Sequence, residues 1–238
     1  MKFFECEALQ FLEKLQKNNS KEWFLSNKSE YEKYILHPSK RFVNEFGEEL
    51  LILDPQINAI AKVNGSLFRI YRDIRLSKDK TPMKSKIGIV FYRGGASRLQ
   101  SSNFYLHFSI KELFVASGIR GFSRDVLNSY REYIKDDKKR LELHTILEEL
   151  KNKGFKINET KYKRYPQGLK KDMPNSYLFL NASLYAYKVF DPKEICSNRL
   201  NEKLFDIYNE LYPLYEWIYN LSLNFELKSK KQKSLSIS

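Results

Sequence analysis

Phe104-Tyr105-Leu106-His107-Phe108-Ser109-Ile110 alternates without a break. In an extended chain Phe104, Leu106, Phe108 and Ile110 share one face, and Tyr105, His107 and Ser109 share the other. Lys111-Glu112 then turns the chain into a second apolar run, Leu113 to Ile119, which predicts an antiparallel hairpin. Upstream, Ile87-Gly-Ile-Val-Phe-Tyr92 is apolar on both faces, as a central strand is. Gly94-Gly95 and the Ser-rich stretch to Asn103 read as a mobile loop between them. Residues 177–190 are β-like again, rich in aromatic and branched groups.

Helical spacing frames this middle on both sides. Phe4, Ala8, Phe11, Leu12 and Leu15 recur at helical intervals over 4–17. Asn19, with Glu22 three residues on, fits the N-cap of a second helix, which should end before Pro38. Phe42, Val43, Phe46, Leu50 and Leu51 predict a third over 39–53. Helices follow at 124–135, behind Ser123, and at 138–152, before Gly154. Asp191-Pro192 caps a short helix, and 199–223 gives one or two more, broken or bent at Pro213. The class is α+β: a central, mainly antiparallel sheet packed with N-terminal and C-terminal helices. With no break in composition, 1–227 reads as one domain and 228–238 as a disordered basic tail.

The formal charge of +13 points to polyanionic partners, or to lysine enrichment of the whole proteome. Four of those charges lie in 228–238, so the body keeps +9. No run of eighteen apolar residues predicts a membrane span, and the acids in Met1-Lys-Phe-Phe-Glu-Cys-Glu argue against a signal peptide, which points to the cytoplasm. Cys6 and Cys196 belong to no C-x-x-C pair and read as two buried thiols. With three scattered histidines they cannot build a zinc site, so neither metal nor cofactor is expected.

The densest chemistry lies between the helical layer and the first strand. Residues 69–84 hold six cations and two carboxylates, between two flanks that read as buried, Ser66-Leu-Phe68 and Ile87–Tyr92. The flanks predict an ordered loop held against the core. Arginine forks match phosphate or carboxylate oxygens, and lysine adds point charge. If the stretch is extended, Arg69, Tyr71, Asp73 and Arg75 line up on one side, with Arg72 opposite. Ser77, Lys78, Lys80, Thr81 and Lys84 then complete a cradle for an anion. No glycine-rich phosphate loop of the G-x-x-x-x-G-K-[ST] type occurs. Lys163, Arg164 and Lys170-Lys171 form a second basic cluster, and Tyr71, Tyr162 and Tyr165 offer stacking surfaces for bases.

The pattern Arg69-x-x-Arg72-Asp73-x-Arg75-x-Ser77-x-x-Lys80-x-Pro82-x-Lys84 resembles the signature of a mostly bacterial family, the domain of unknown function 2461. The likeness extends to Asn18-Asn19-x-Lys21-Glu22-Trp23-Phe24, Tyr105-Leu-His107, Arg164-x-Pro166-x-Gly168 and Leu211-Tyr-Pro213-Leu. Leu76, Met83 and Met173 stand where the family favours Phe, Tyr and His, so no catalytic histidine can be carried over to position 173. The resemblance implies a shared fold and supplies no activity.

Three readings follow. In the first, the motif binds an anionic, phosphate-bearing ligand, nucleic acid or nucleotide, through Arg69, Arg72, Arg75, Ser77, Lys80, Lys84 and Arg164. In the second, the chain is an enzyme acting on an anionic phosphoester, with His107 or Asp73 as the acid–base group. In the third, the motif is an internal salt-bridge clamp: Arg72 or Arg75 pairs with Asp73 or Asp79 and ties the loop down.

Overall fold

The structure is a computed structural model that describes residues 2–94, 97–169 and 171–235, with side chains described as far as Leu223. Gly95 and Lys170 fall outside the described residues, as do the side chains of the lysine-rich tail. Among the described residues, five strands form one antiparallel sheet in the order β1-β2-β3-β5-β4. They are β1 (Lys86–Tyr92), β2 (Asn103–Ser109), β3 (Leu113–Ile119), β4 (Lys156–Ile157) and β5 (Leu184–Phe190). Seven α-helices accompany them among the described residues: α1 (Glu7–Lys17), α2 (Lys21–Ser26), α3 (Lys28–Tyr31), α4 (His37–Leu50), α5 (Arg124–Tyr133), α6 (Asp137–Asn152) and α7 (Leu200–Leu235). The fold is α+β, with helices on the N-terminal and C-terminal sides of the sheet.

The chain packs into two compact units. The first comprises Met1–Phe91, Tyr105–Val115 and Val189–Asn209; the second comprises Tyr92–Phe104, Ala116–Lys188 and Glu210–Ser238. Aromatic rings from α1's leader, α4 and the strands fill the first core. Phe42 stacks on Phe46 at 5.0 Å, Phe46 meets Phe91 edge-on at 5.7 Å, and Phe4 lies 5.1 Å from Phe108. All five rings are fully buried. Each such ring contributes on the order of 2–3 kcal/mol by leaving water.

The second unit is organised around α5, α6 and the later turns of α7. Phe104 stacks on Tyr215 at 4.2 Å, and Trp217 meets Tyr133 edge-on at 5.3 Å. Buried Arg140 donates to the carbonyls of Pro174 and Ile134 at 2.8 and 2.9 Å and pairs with Asp137. A buried guanidinium is tolerable only when its donors are filled in this way.

Several local expectations change. Ser20, not Asn19, caps α2, accepting from Trp23 N at 3.1 Å, which leaves the Asn19 amide for another task. The chain does not leave the helical path before Pro38. A π-helical segment, Glu32–Leu36, joins α3 to α4, and Pro38 sits in the first turn of α4. Proline removes one backbone donor and crowds the carbonyl four residues back; a wider turn relieves both. Helix α7 likewise continues through Pro213. Residues 176–180 form a 3-10 turn rather than a strand, because Tyr177, Leu178 and Phe179 follow Asn175 in the left-handed conformation. Gly118 in β3 has φ +122, and a Cβ there would lie 2.2 Å from the Leu184 carbonyl, so no other residue fits without backbone movement.

Candidate functional site

The motif begins as an extended arm and ends as one. Phe68 N donates to Gly88 O at 3.1 Å and Val90 N to Ser66 O at 2.9 Å, fastening residues 66–68 to β1. Arg72 N then donates to Pro82 O, and Lys84 N to Ile70 O, both at 2.8 Å. Residues 69–72 and 82–84 are therefore antiparallel arms, and 73–81 is the loop between them. Ile70 and Met83 are the buried positions of these arms. They hold the arms down while the charged neighbours stay near water.

The loop is braced by its own charges. Arg72 reaches across it to the Asp79 carboxylate and the Thr81 hydroxyl, with Ser77 Oγ 3.5 Å away. Asp79 also accepts from Thr81 N at 2.9 Å and Thr81 Oγ1 at 2.8 Å. The Thr81 backbone bond, then Arg72 and the Thr81 hydroxyl, lower its carboxyl to about 2. Arg75 folds back on Asp73 with a two-pronged contact, Nε to Oδ1 at 2.9 Å and Nη2 to Oδ2 at 2.6 Å. Those bonds hold Asp73 well below the usual carboxylate range. Lys80 Nζ donates to Ile74 O at 2.9 Å, and Lys84 Nζ to Arg69 O at 2.8 Å. Arg69 is exposed and makes no side-chain hydrogen bond among the described residues; it feels Asp73 only through its charge.

The extended alignment of Arg69, Tyr71, Asp73 and Arg75 thus holds only as far as Arg72. Past it, the Asp73 carboxylate also accepts from Arg75 N at 3.3 Å and bends the chain.

One contact from the helical layer fixes the loop's return arm. Asn19 Nδ2 donates to Met83 O at 3.0 Å, and Met83 N donates to Asn19 Oδ1 at 2.9 Å. The side-chain amide imitates a strand partner and satisfies both backbone groups of a buried residue. Sequence reasoning assigned Asn19 to a helix cap. The sequence carries no local signal for this role.

Beside the loop lies a cavity of about 350 Å³ lined by Gln16, Asn19, Arg72, Asp79, Thr81, Met83 and Lys84–Lys86. Of the expected ligand residues, Arg72 and Lys84 reach this lining. Arg69, Arg75, Ser77 and Lys80 do not line it. Lys86 is an addition that the pattern did not single out. Arg164 belongs to the second unit and is exposed. Its loop is anchored by the bond between the Tyr165 and Ser176 hydroxyls at 3.3 Å and by Ser176 Oγ to Lys171 O at 2.8 Å. Arg131 covers one face of Tyr162 at 4.7 Å, so that ring is already in use as a stacking surface.

His107 is 4% exposed, although it lies on the face expected to be polar. Its Nε2 lies 3.0 Å from Glu112 Oε1, and its ring stacks on Phe114 at 4.8 Å. It does not line the cavity. Among the described residues, no group of three or more His, Cys, Asp or Glu side chains could hold a metal ion. The cysteines differ from expectation: Cys6 is exposed and Cys196 half-buried.

The sequence pattern of the family described as "Conserved hypothetical protein (DUF2461)" matches residues 7–217. The chain belongs to the DUF2461 family. That span takes in Asn19, the whole arginine motif, the hairpin with His107, and the Arg164 loop. No curated protein matches the chain. No described helix of this DUF2461 protein is long and apolar enough to cross a membrane.

Proposed function

We propose that this DUF2461 protein binds a small phosphate-bearing ligand, of nucleotide or pyrophosphate size, in the cavity beside its arginine motif. The observation that carries the reading is the lining: Arg72, Lys84 and Lys86 against the single carboxylate of Asp79 among the described lining residues. Asp79 already accepts from Arg72 and Thr81. Lys84 donates to a neutral carbonyl, and such a bond leaves an ammonium charge in place. Thr81, Ser85, Asn19 and Gln16 supply neutral polar groups around the cations. A volume of about 350 Å³ is at the small end of ligand sites, which fits a compact phosphate ligand better than a duplex.

Binding without turnover is the favoured form. Asp79 is held at about 2 by Thr81 and Arg72 and is a weak base at neutral pH. His107 lies outside the lining. Titration calorimetry of the full chain with pyrophosphate, ATP and a short single-stranded oligonucleotide tests the proposal. Binding of pyrophosphate or ATP that weakens about tenfold in Lys86→Met supports it, since a charge-assisted contact to phosphate contributes roughly 1.5–3 kcal/mol. Absence of heat with all three ligands at low salt ends it.

A second reading, the internal clamp, is favoured by a separate observation. Arg72, Arg75 and Lys80 each already hold a protein partner within the loop. The two readings are compatible: the brace shapes one wall of the cavity. They separate experimentally, because Lys86→Met should weaken phosphate binding while Arg72→Ala should lower stability.

A further inference from the structure

We infer that the apex of the arginine loop docks on an anionic membrane surface, with Leu76 entering the acyl layer and the cations on either side of it meeting lipid phosphates. Among the described residues Leu76 is the one large apolar side chain that is fully exposed. A lone surface leucine ordinarily carries no meaning. This one is held out by a built support. Ser77 N donates to Ile74 O at 3.3 Å, closing a tight bend with Arg75 and Leu76 at its centre. Lys80 Nζ donates to the same carbonyl at 2.9 Å. The two-pronged contact of Arg75 with Asp73 braces the limb before the bend. Arg72, through Asp79 and Thr81, braces the limb after it. The loop thus presents its leucine to water in a fixed position, before any partner arrives.

The charges around the apex select the partner. Residues 69–86 carry seven cations and two carboxylates. Both carboxylates are answered within the loop, Asp73 by Arg75 and Asp79 by Arg72 and Thr81. Arg69 and Lys78 are exposed and form no ion pair among the described residues. Lys80 bonds a neutral carbonyl and keeps its charge. An apolar apex with uncancelled cations on both limbs matches a lipid surface, which presents phosphates above hydrocarbon. A nucleic-acid backbone answers the cations alone and offers the leucine nothing unless bases are unstacked. Tyr71, on the same side of the first arm as Arg69, is also exposed, and its ring meets Phe24 edge-on at 5.7 Å. Tyrosine settles at headgroup depth. This surface is separate from the cavity, which Arg69, Arg75, Leu76, Lys78 and Lys80 do not line.

The test is co-sedimentation of the full chain with vesicles of equal parts phosphatidylglycerol and phosphatidylcholine, beside vesicles of phosphatidylcholine alone, at about 0.1 M salt. Expected is partition onto the anionic vesicles only, lost at about 1 M salt, where the screening length is about 3 Å. Leu76→Ser should weaken partition roughly tenfold, the factor for one leucine withdrawn from hydrocarbon. Lys78→Ala should weaken it roughly fivefold, the share of one cation at an anionic surface. Leu76→Trp should bind at least as well as wild type, and its added fluorescence should be quenched by brominated acyl chains. Because residue 76 is fully exposed, both of its variants should keep the wild-type melting temperature. The four lysines of 228–238 stay in every variant, so partition that Leu76→Ser leaves unchanged is general basic attraction and overturns the inference. So does equal partition onto both kinds of vesicle, or none onto either. A single-stranded oligonucleotide that binds in a Leu76-dependent way while vesicles do not also overturns it. Pyrophosphate titration of Leu76→Ser should match wild type, which keeps a failure here distinct from a failure of the cavity reading.

Discussion

Replacing Asn19 by Ala should loosen the motif from a distance. The side chain makes two hydrogen bonds, both to the backbone of Met83, which is 1% exposed. Each bond has a net worth of about 1 kcal/mol, and a buried backbone group left without a partner costs about 1–3 kcal/mol. Partial access of water to the emptied site lowers the second figure, so the expected loss is about 2–4 kcal/mol. With a urea slope of about 2–3 kcal/mol per molar, the midpoint should fall by roughly 1 M at unchanged slope. Amide exchange supplies a local reading. The Met83 N–H should be protected in the wild type and exchange faster in the variant, followed by Lys84 and Arg72, whose amides close the two arms. Asn19→Asp keeps the acceptor for Met83 N but sets a carboxylate against Met83 O, so it should not recover the loss. A midpoint within 0.2 M of wild type, with Met83 still protected, would refute the idea that this amide holds the return arm.

Arg72→Ala should lower the melting temperature by about 3–6 °C, because several loop groups lose one hub, whereas Arg75→Ala should shift it by about 1 °C or less, its pair being at the surface; differential scanning calorimetry compares them. Asp79 has a lowered carboxyl, so its contribution to stability is complete above its ordinary value of 3.8 and disappears as pH falls through about 2. Urea midpoints of wild type and Asp79→Asn, measured from pH 6 to pH 2, should therefore converge at the acid end; a constant gap would contradict the assignment. Gly118→Ala should cost about 3 kcal/mol or more, since the new methyl meets the Leu184 carbonyl and the left-handed backbone strains any side chain. Its urea midpoint should fall well below that of a control at Gly121, where a Cβ meets nothing within 4 Å.

Much of this was legible in the residues. The alternation of Phe104 to Ser109 placed β2 and the turn after it, because side-chain direction in a strand follows from period alone. Phe42, Phe46 and Leu50 placed α4 for the same reason at helical period. The crowded charges of the motif announced an ordered loop between buried flanks, and Ile70 and Met83 show why it is ordered. What escaped was decided by partners far along the chain. Asn19 has the chemistry of a cap, and only the position of Met83, 64 residues away, gives its amide a better use. Proline at 38 is a stop signal in a strict α-helix, yet a π turn removes the clash. His107 occupies a polar register, but the ring of Phe114 covers it.

The π segment has a further consequence for the first unit. A residue added to an α-helical path rotates everything beyond it by about 100°. Tyr31 and Ile35 lie before or within the widened turn, and Phe42 and Phe46 after it, yet all four are buried. Their shared inward direction therefore depends on that surplus residue. Shortening Glu32–Leu36 by one would give a tidier spiral whose two halves point their apolar rows in different directions. At this place in the chain an irregular helix is the form that keeps the core closed, and a deletion there should do more harm than any single substitution nearby.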